Sequence, residues 1–146
     1  MQLFHGVLGT TGIETVEIVK GILDNVKPKL VIAIDSLCSK NISRINKSIQ
    51  ISDTGIVPGG GVGNAREELS KETLKVPVIG IGIPTVLDAA TIVIDTLDAC
   101  KIEVSENKLV NEMKLNNFNF IVTPKEIDSL VDGMVAIVSE GINKAV

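Results

Sequence analysis

The chain contains no tryptophan, no tyrosine and only three phenylalanines in 146 residues. With so few aromatic faces, unpaired bases would find almost nothing to stack on, which argues against a nucleic-acid partner. A net charge of −4 at pH 7 argues the same way, because polyanions are held by basic surfaces. One histidine, His5, and two cysteines, Cys38 and Cys100, without C-x-x-C spacing are too few for a zinc site of the Cys/His type. No run approaches the ~18 apolar residues of a membrane helix, and no basic-plus-apolar signal segment opens the chain. The expectation is a cytoplasmic protein with free thiols, no cofactor and no membrane partner.

What is present is aliphatic: 45% of residues are hydrophobic, enough for the core of one domain of common size. Thr11-Gly12-Ile13-Glu14 has capping-box spacing. Val16, Val19, Ile22, Leu23 and Val26 then recur at helical spacing, until Pro28 helps to stop the helix. Val31 to Ile34 is a continuous apolar run that meets a carboxylate at Asp35, which predicts a strand over 30–35 buried on both faces. Residues 36–47 are ambiguous, with a short helix as one reading, and 48–52 alternate as a strand does. Residues 53–64 hold five glycines and a proline and predict an irregular loop.

Charged residues over 66–75 suggest a solvent-facing helical turn. Residues 76–84 read as a second buried strand, in which Gly80 and Gly82 admit close backbone approach. Thr85-Val86-Leu87-Asp88 is a second capping box, opening a helix to about Ala99. That helix is apolar around most of its circumference and calls for cover on two sides. Residues 101–117 look like a linker or excursion, 118–122 like a last strand. Thr123-Pro124 marks the start of a final helix with the stripe Ile127, Leu130, Val131, Met134, Val138 and Ile142. The alternation predicts a single α/β domain over 1–146, a mostly parallel sheet flanked by helices. Three or four strands are few, and nothing before the first helix can pair the first strand, so the expected sheet is truncated on its N-terminal side.

The chemistry narrows to one carboxylate. The glycine run 59–63 lacks the lysine and hydroxyl of a phosphate loop and does not open a helix from a strand, so it reads as a surface loop or flap. Cys38 has no imidazole near it in sequence and reads as a small buried residue. In open α/β sheets, ligands are handled in the crevice outside the carboxyl ends of the strands. Asp35 therefore reads either as a cap on the next turn or as a working group. Two aspartates sharing a proton can hydrolyse a peptide, one activating water and the other protonating the leaving group. Asp53, at the end of a neighbouring strand, is the candidate partner for Asp35. Asp88 reads as a capping residue and Asp95 as the polar face of the same helix.

Several stretches together resemble the germination protease family of spore-forming bacteria. They are Gly9-Thr10-Thr11-Gly12-Ile13-Glu14-Thr15, Val31-Ile32-Ala33-Ile34-Asp35-Ser36-Leu37, Ile49-Gln50-Ile51-Ser52-Asp53-Thr54-Gly55-Ile56 and Gly61-Val62-Gly63-Asn64. Leu69-Ser70-Lys71-Glu72-Thr73-Leu74, Val76-Pro77-Val78-Ile79, Pro84-Thr85-Val86 and Val122-Thr123-Pro124-Lys125-Glu126-Ile127-Asp128 continue the series in the same order. The resemblance implies an aspartic-type endopeptidase that cuts the small acid-soluble proteins coating spore DNA during germination. It implies a fold similar to hydrogenase-maturation proteases, an inactive precursor, a homo-oligomer and a place in the spore core. It also maps one family catalytic aspartate onto Asp35.

The family's other catalytic aspartate lies upstream, in a T-P-D-A-L-G-P type motif, which this sequence does not contain. The stretch resembles roughly the C-terminal half of the family pattern, is shorter around 101–117, and carries His5 where the family usually has proline. One carboxylate cannot do both jobs of a dyad, so these 146 residues alone are expected to have little or no peptidase activity. Two other readings stay open: a non-catalytic peptide-binding or assembly module, and a metal-dependent hydrolase with Asp35 among oxygen ligands.

Overall fold

The computed structural model describes residues 13–59, 66–118 and 120–145. Thr11, and with it the first predicted capping box, lies outside them. Glu14 stands at the N-cap, and helix α1 spans Thr15–Val26. Strand β1 follows at Val31–Ser39, a 3-10 turn at Ile42–Arg44 and strand β2 at Gln50–Ser52. Helix α2 is short, Lys71–Leu74, and strand β3 is long, Val78–Asp88. Helices α3 (Ala89–Ala99) and α4 (Glu106–Leu115) come next. Strand β4 (Ile121–Val122) and helix α5 (Ile127–Ala145) complete the order.

The sheet is mixed, which corrects the expectation of a mostly parallel one. Its order is β1-β3-β2, with β4 also on β3. Both β2 and β4 run antiparallel to β3, with Ile51 opposite Ile81 and Leu87 opposite Val122. The strand buried almost continuously is β3, whose residues Ile81 to Pro84 are all buried. Strand β1 lies at one end of the order and is only half-buried, with Ile34 52% exposed. An apolar run does not distinguish a central strand from an edge strand, because that depends on non-local pairing.

The chain divides into two compact units, Met1–Asp35 with Gln50–Gly82, and Ser36–Ile49 with Ile83–Val146; β1 and β3 pass from one to the other. The first unit is built on Val16, Leu69, Leu74 and Val78, with Val19, Leu23, Val31, Ala33 and Ile56 packed around them. Helix α1 ends as Pro28 suggested: Lys27 takes a left-handed conformation and its N–H donates to Leu23 O at 2.9 Å, a common helix stop. The charged stretch expected at the surface is half hidden. Leu69, Ser70 and Leu74 are buried, and Ser70 and Thr73 form a reciprocal capping box that starts α2.

The described first part of the predicted glycine loop is anchored. Ile56 N–H donates to Leu69 O at 3.0 Å and Leu69 N–H to Ile56 O at 2.8 Å, which ties Ile56 to the residue before Ser70. A Cβ on Gly80 would lie 2.8 Å from Gly55 O, which explains the small residue in the middle of β3.

In the second unit the buried residues include Ile45, Ile83, Leu87 and Val138. Thr85 stays in β3, and α3 opens only at Ala89, so the second capping box is not formed. The pairing of Leu87 and Asp88 with β4 keeps this segment extended. No residue of α3 is fully buried; its apolar residues Ile92, Val93, Ile94 and Leu97 are half-buried, so the cover its composition calls for is only partly supplied among the described residues. Part of the stretch read as linker, 101–117, is helix α4. On α5 the predicted stripe holds except at one position: Val138 is buried, and Ile127, Val131, Met134 and Ile142 are half-buried, whereas Leu130 is exposed.

Candidate active site

Asp35 does not close its strand. Strand β1 continues through Ser39, because residues 36–39 also hydrogen-bond in the sheet, and the carboxylate projects from mid-strand, half-buried. Its Oδ2 accepts the Gly59 N–H at 2.7 Å, a short bond of the charge-assisted kind. Gly59 can offer that N–H because it adopts φ +65, a left-handed conformation natural to glycine. Beside it, Arg66 brings its guanidinium to within 3.1 Å of where a Gly59 Cβ would stand. The glycine run thus supplies a donor to the candidate carboxylate. Sequence reasoning singled out the run, but nothing in it pointed across 24 residues to Asp35.

The other carboxylates are placed differently. Asp53 is exposed, one residue beyond β2. In the strand order β3 lies between β1 and β2, so the strands leading to Asp35 and Asp53 are about two strand spacings apart, ~10 Å. Asp88 is the N-cap of α3 and accepts from Ala90 N–H at 2.8 Å. Asp95 accepts the Ile42 N–H at 3.1 Å, holding the start of the 3-10 turn. Asp88→Ala should cost about 1 kcal/mol of stability, the usual worth of such a cap, read from the midpoint of urea unfolding.

The thiols offer no activated nucleophile. Burial pushes the Cys38 thiol up; the Asp88 backbone N–H opposes this and the Asp88 charge adds to it. A raised thiol is protonated at neutral pH and attacks poorly. Cys100 is free and exposed. His5 lies outside the described residues. Among those described, no group of three His, Cys, Asp or Glu side chains could hold a metal ion. No helix there is long and apolar enough to cross a membrane.

A family model described as germination protease matches residues 2–112. The germination protease of Caldanaerobacter subterraneus subsp. tengcongensis is 47% identical over 161 residues, covering 96% of this chain and 50% of the relative. That of Clostridium tetani is 44% identical with the same coverage. That of Bacillus licheniformis is 39% identical, covering 98% of this chain and 53% of its own. The chain therefore spans about half the length of the curated relatives it matches. With 111 consecutive residues under one family model and relatives at this identity, the chain belongs to the germination protease family.

Proposed function

We propose that this chain is the Asp35-bearing part of an aspartic-type endopeptidase that degrades small acid-soluble spore proteins during germination. The observation that carries the reading is the hydrogen bond from Gly59 N–H to Asp35 Oδ2 at 2.7 Å. A carboxylate accepts through both oxygens, so with Oδ2 committed to the amide, Oδ1 is left to share a proton with a second acid. In such a couple the ionised member takes a proton from water, and the protonated member gives one to the departing amine nitrogen. Asp88 and Asp95 are spent on backbone N–H groups, and β3 separates the strand of Asp35 from the strand before Asp53. The second acid is then the aspartate of the T-P-D type motif found in the other half of the family pattern.

The test is to incubate the 146-residue chain with a purified small acid-soluble spore protein, alone and with the N-terminal half of a curated relative. Cleavage should require both halves. Robust cleavage by the chain alone, sensitive to Asp35→Asn, would end this reading.

The same proposal completes the sheet in the manner of hydrogenase-maturation proteases. It makes the enzyme a homo-oligomer of the spore core, formed first as an inactive precursor. The half-exposed edge at Ile34 and the only half-buried apolar residues of α3 support it, since unpaired strand edges and broad apolar surfaces tend to acquire partners. The chain should associate with itself at micromolar concentration in sedimentation; a monomer there would count against it.

A further inference from the structure

Arg66 has been given no part in the chemistry above, yet its surroundings are unusual for a cation. Its Nε is buried and has no hydrogen-bond partner among the described residues, an arrangement that costs free energy unless something offsets it. The guanidinium packs on the backbone of Gly59: a Cβ there would lie 3.1 Å from Nη1, 3.4 Å from Cζ and 3.8 Å from Nε. The same glycine is left-handed at φ +65 and aims its N–H at Asp35 Oδ2. A glycine has many conformations open to it, so a left-handed turn in a glycine-rich loop holds one direction only if its neighbours restrict it.

We infer that Arg66 is a positioning residue for Asp35, acting through Gly59. The planar guanidinium braces the turn, the turn fixes the direction of the Gly59 N–H, and the N–H decides which oxygen of the carboxylate is occupied. The other oxygen then faces the shared proton and the attacking water in a constant orientation. This assignment rests on the reading of Asp35 as an acid–base group, but the brace itself is a property of this chain and can be observed without catalysis. Lysine is a poor substitute, because its ammonium is a point charge without a flat face to lay on the glycine.

Amide hydrogen exchange on the 146-residue chain reads the brace directly. Hydrogen bonds to charged acceptors are worth enough to slow exchange by about tenfold or more, so the Gly59 amide should be protected by at least that factor. Asp35→Asn removes the charge while keeping the shape, and protection should fall by about tenfold. Arg66→Ala and Arg66→Lys should each produce a comparable fall, with the slow amides of β3 unchanged as the sign that the fold persists. If Arg66→Ala unfolds the chain, the lysine variant carries the test. Gly59 protection surviving both arginine variants would overturn the role of Arg66, and an unprotected Gly59 in the unaltered chain would remove the clamp altogether.

A second readout ties the brace to turnover. In the two-half protease, Arg66→Lys should lower kcat while KM stays within about twofold, as expected when orientation and not binding is lost. Lost protection with unchanged kcat would also overturn the assignment. Absence of cleavage by the unaltered halves together, with Gly59 protected and Arg66-dependent, would instead fault only the protease reading.

Discussion

Asp35→Asn should lower kcat of the assembled two-half protease by about 100- to 10,000-fold, the usual worth of a general acid–base group. The amide keeps the volume of the carboxylate and still presents one oxygen to Gly59 N–H, so binding and folding should change little. What it loses is the ability to hold or release a proton. KM is therefore expected within a few-fold of its original value, with the loss in kcat and kcat/KM equal, the pattern of an interaction made only in the transition state. Asp53→Asn is the matched control. It alters an exposed side chain beyond β2, with β3 standing between the strands concerned, and turnover should stay within about threefold, far below the acid–base range. Equal losses from the two variants would restore Asp53 as the partner and displace the upstream aspartate.

Gly55→Ala should be among the most destabilising substitutions of a small residue in the chain. Gly55 has φ +109, a region in which a side chain carries strain of roughly 1–2 kcal/mol. Its Cβ would also run into the carbonyl oxygen of Leu69 and lie 2.9 Å from Ser70 Cα and 3.0 Å from Leu69 C. All three are backbone atoms, held by the Ile56–Leu69 bridge and by the core residues Leu69 and Leu74, so no side chain can swing aside. Overpacking of this kind costs about 1–3 kcal/mol. The two together come to roughly 2–5 kcal/mol, or a fall of about 10 °C in Tm for a chain of this length. A change under about 0.5 kcal/mol, the range of ordinary surface substitutions, would mean that the loop can be displaced from β3.

Some of the architecture can be read locally, and α5 is the clearest case. A stripe at 3.6-residue spacing needs no partner to declare itself, and it appears with Val138 at its buried centre. The end of α1 is as legible, because Pro28 lacks the N–H that a further turn would need and its ring disfavours helix continuation. The buried character of β3 follows from its apolar run and its small residues. The segment from Thr85 to Asp88 was not decidable in this way. Threonine and aspartate three apart make a good helix start, and Asp88 alone makes another. Pairing with β4, more than 30 residues later, selects the second.

By itself the sequence determined the aliphatic core, the order of helices and strands apart from α4, the family, and the choice of Asp35 as the residue to watch, since each rests on composition, period or contiguous motif. Only the tertiary structure decided that the sheet is mixed, that β1 runs on past Asp35 as an edge, and that Gly59 donates to its carboxylate with Arg66 beside that glycine. Those depend on which segments meet across dozens of residues. The energy of such meetings is shared between partners, so neither segment encodes it alone.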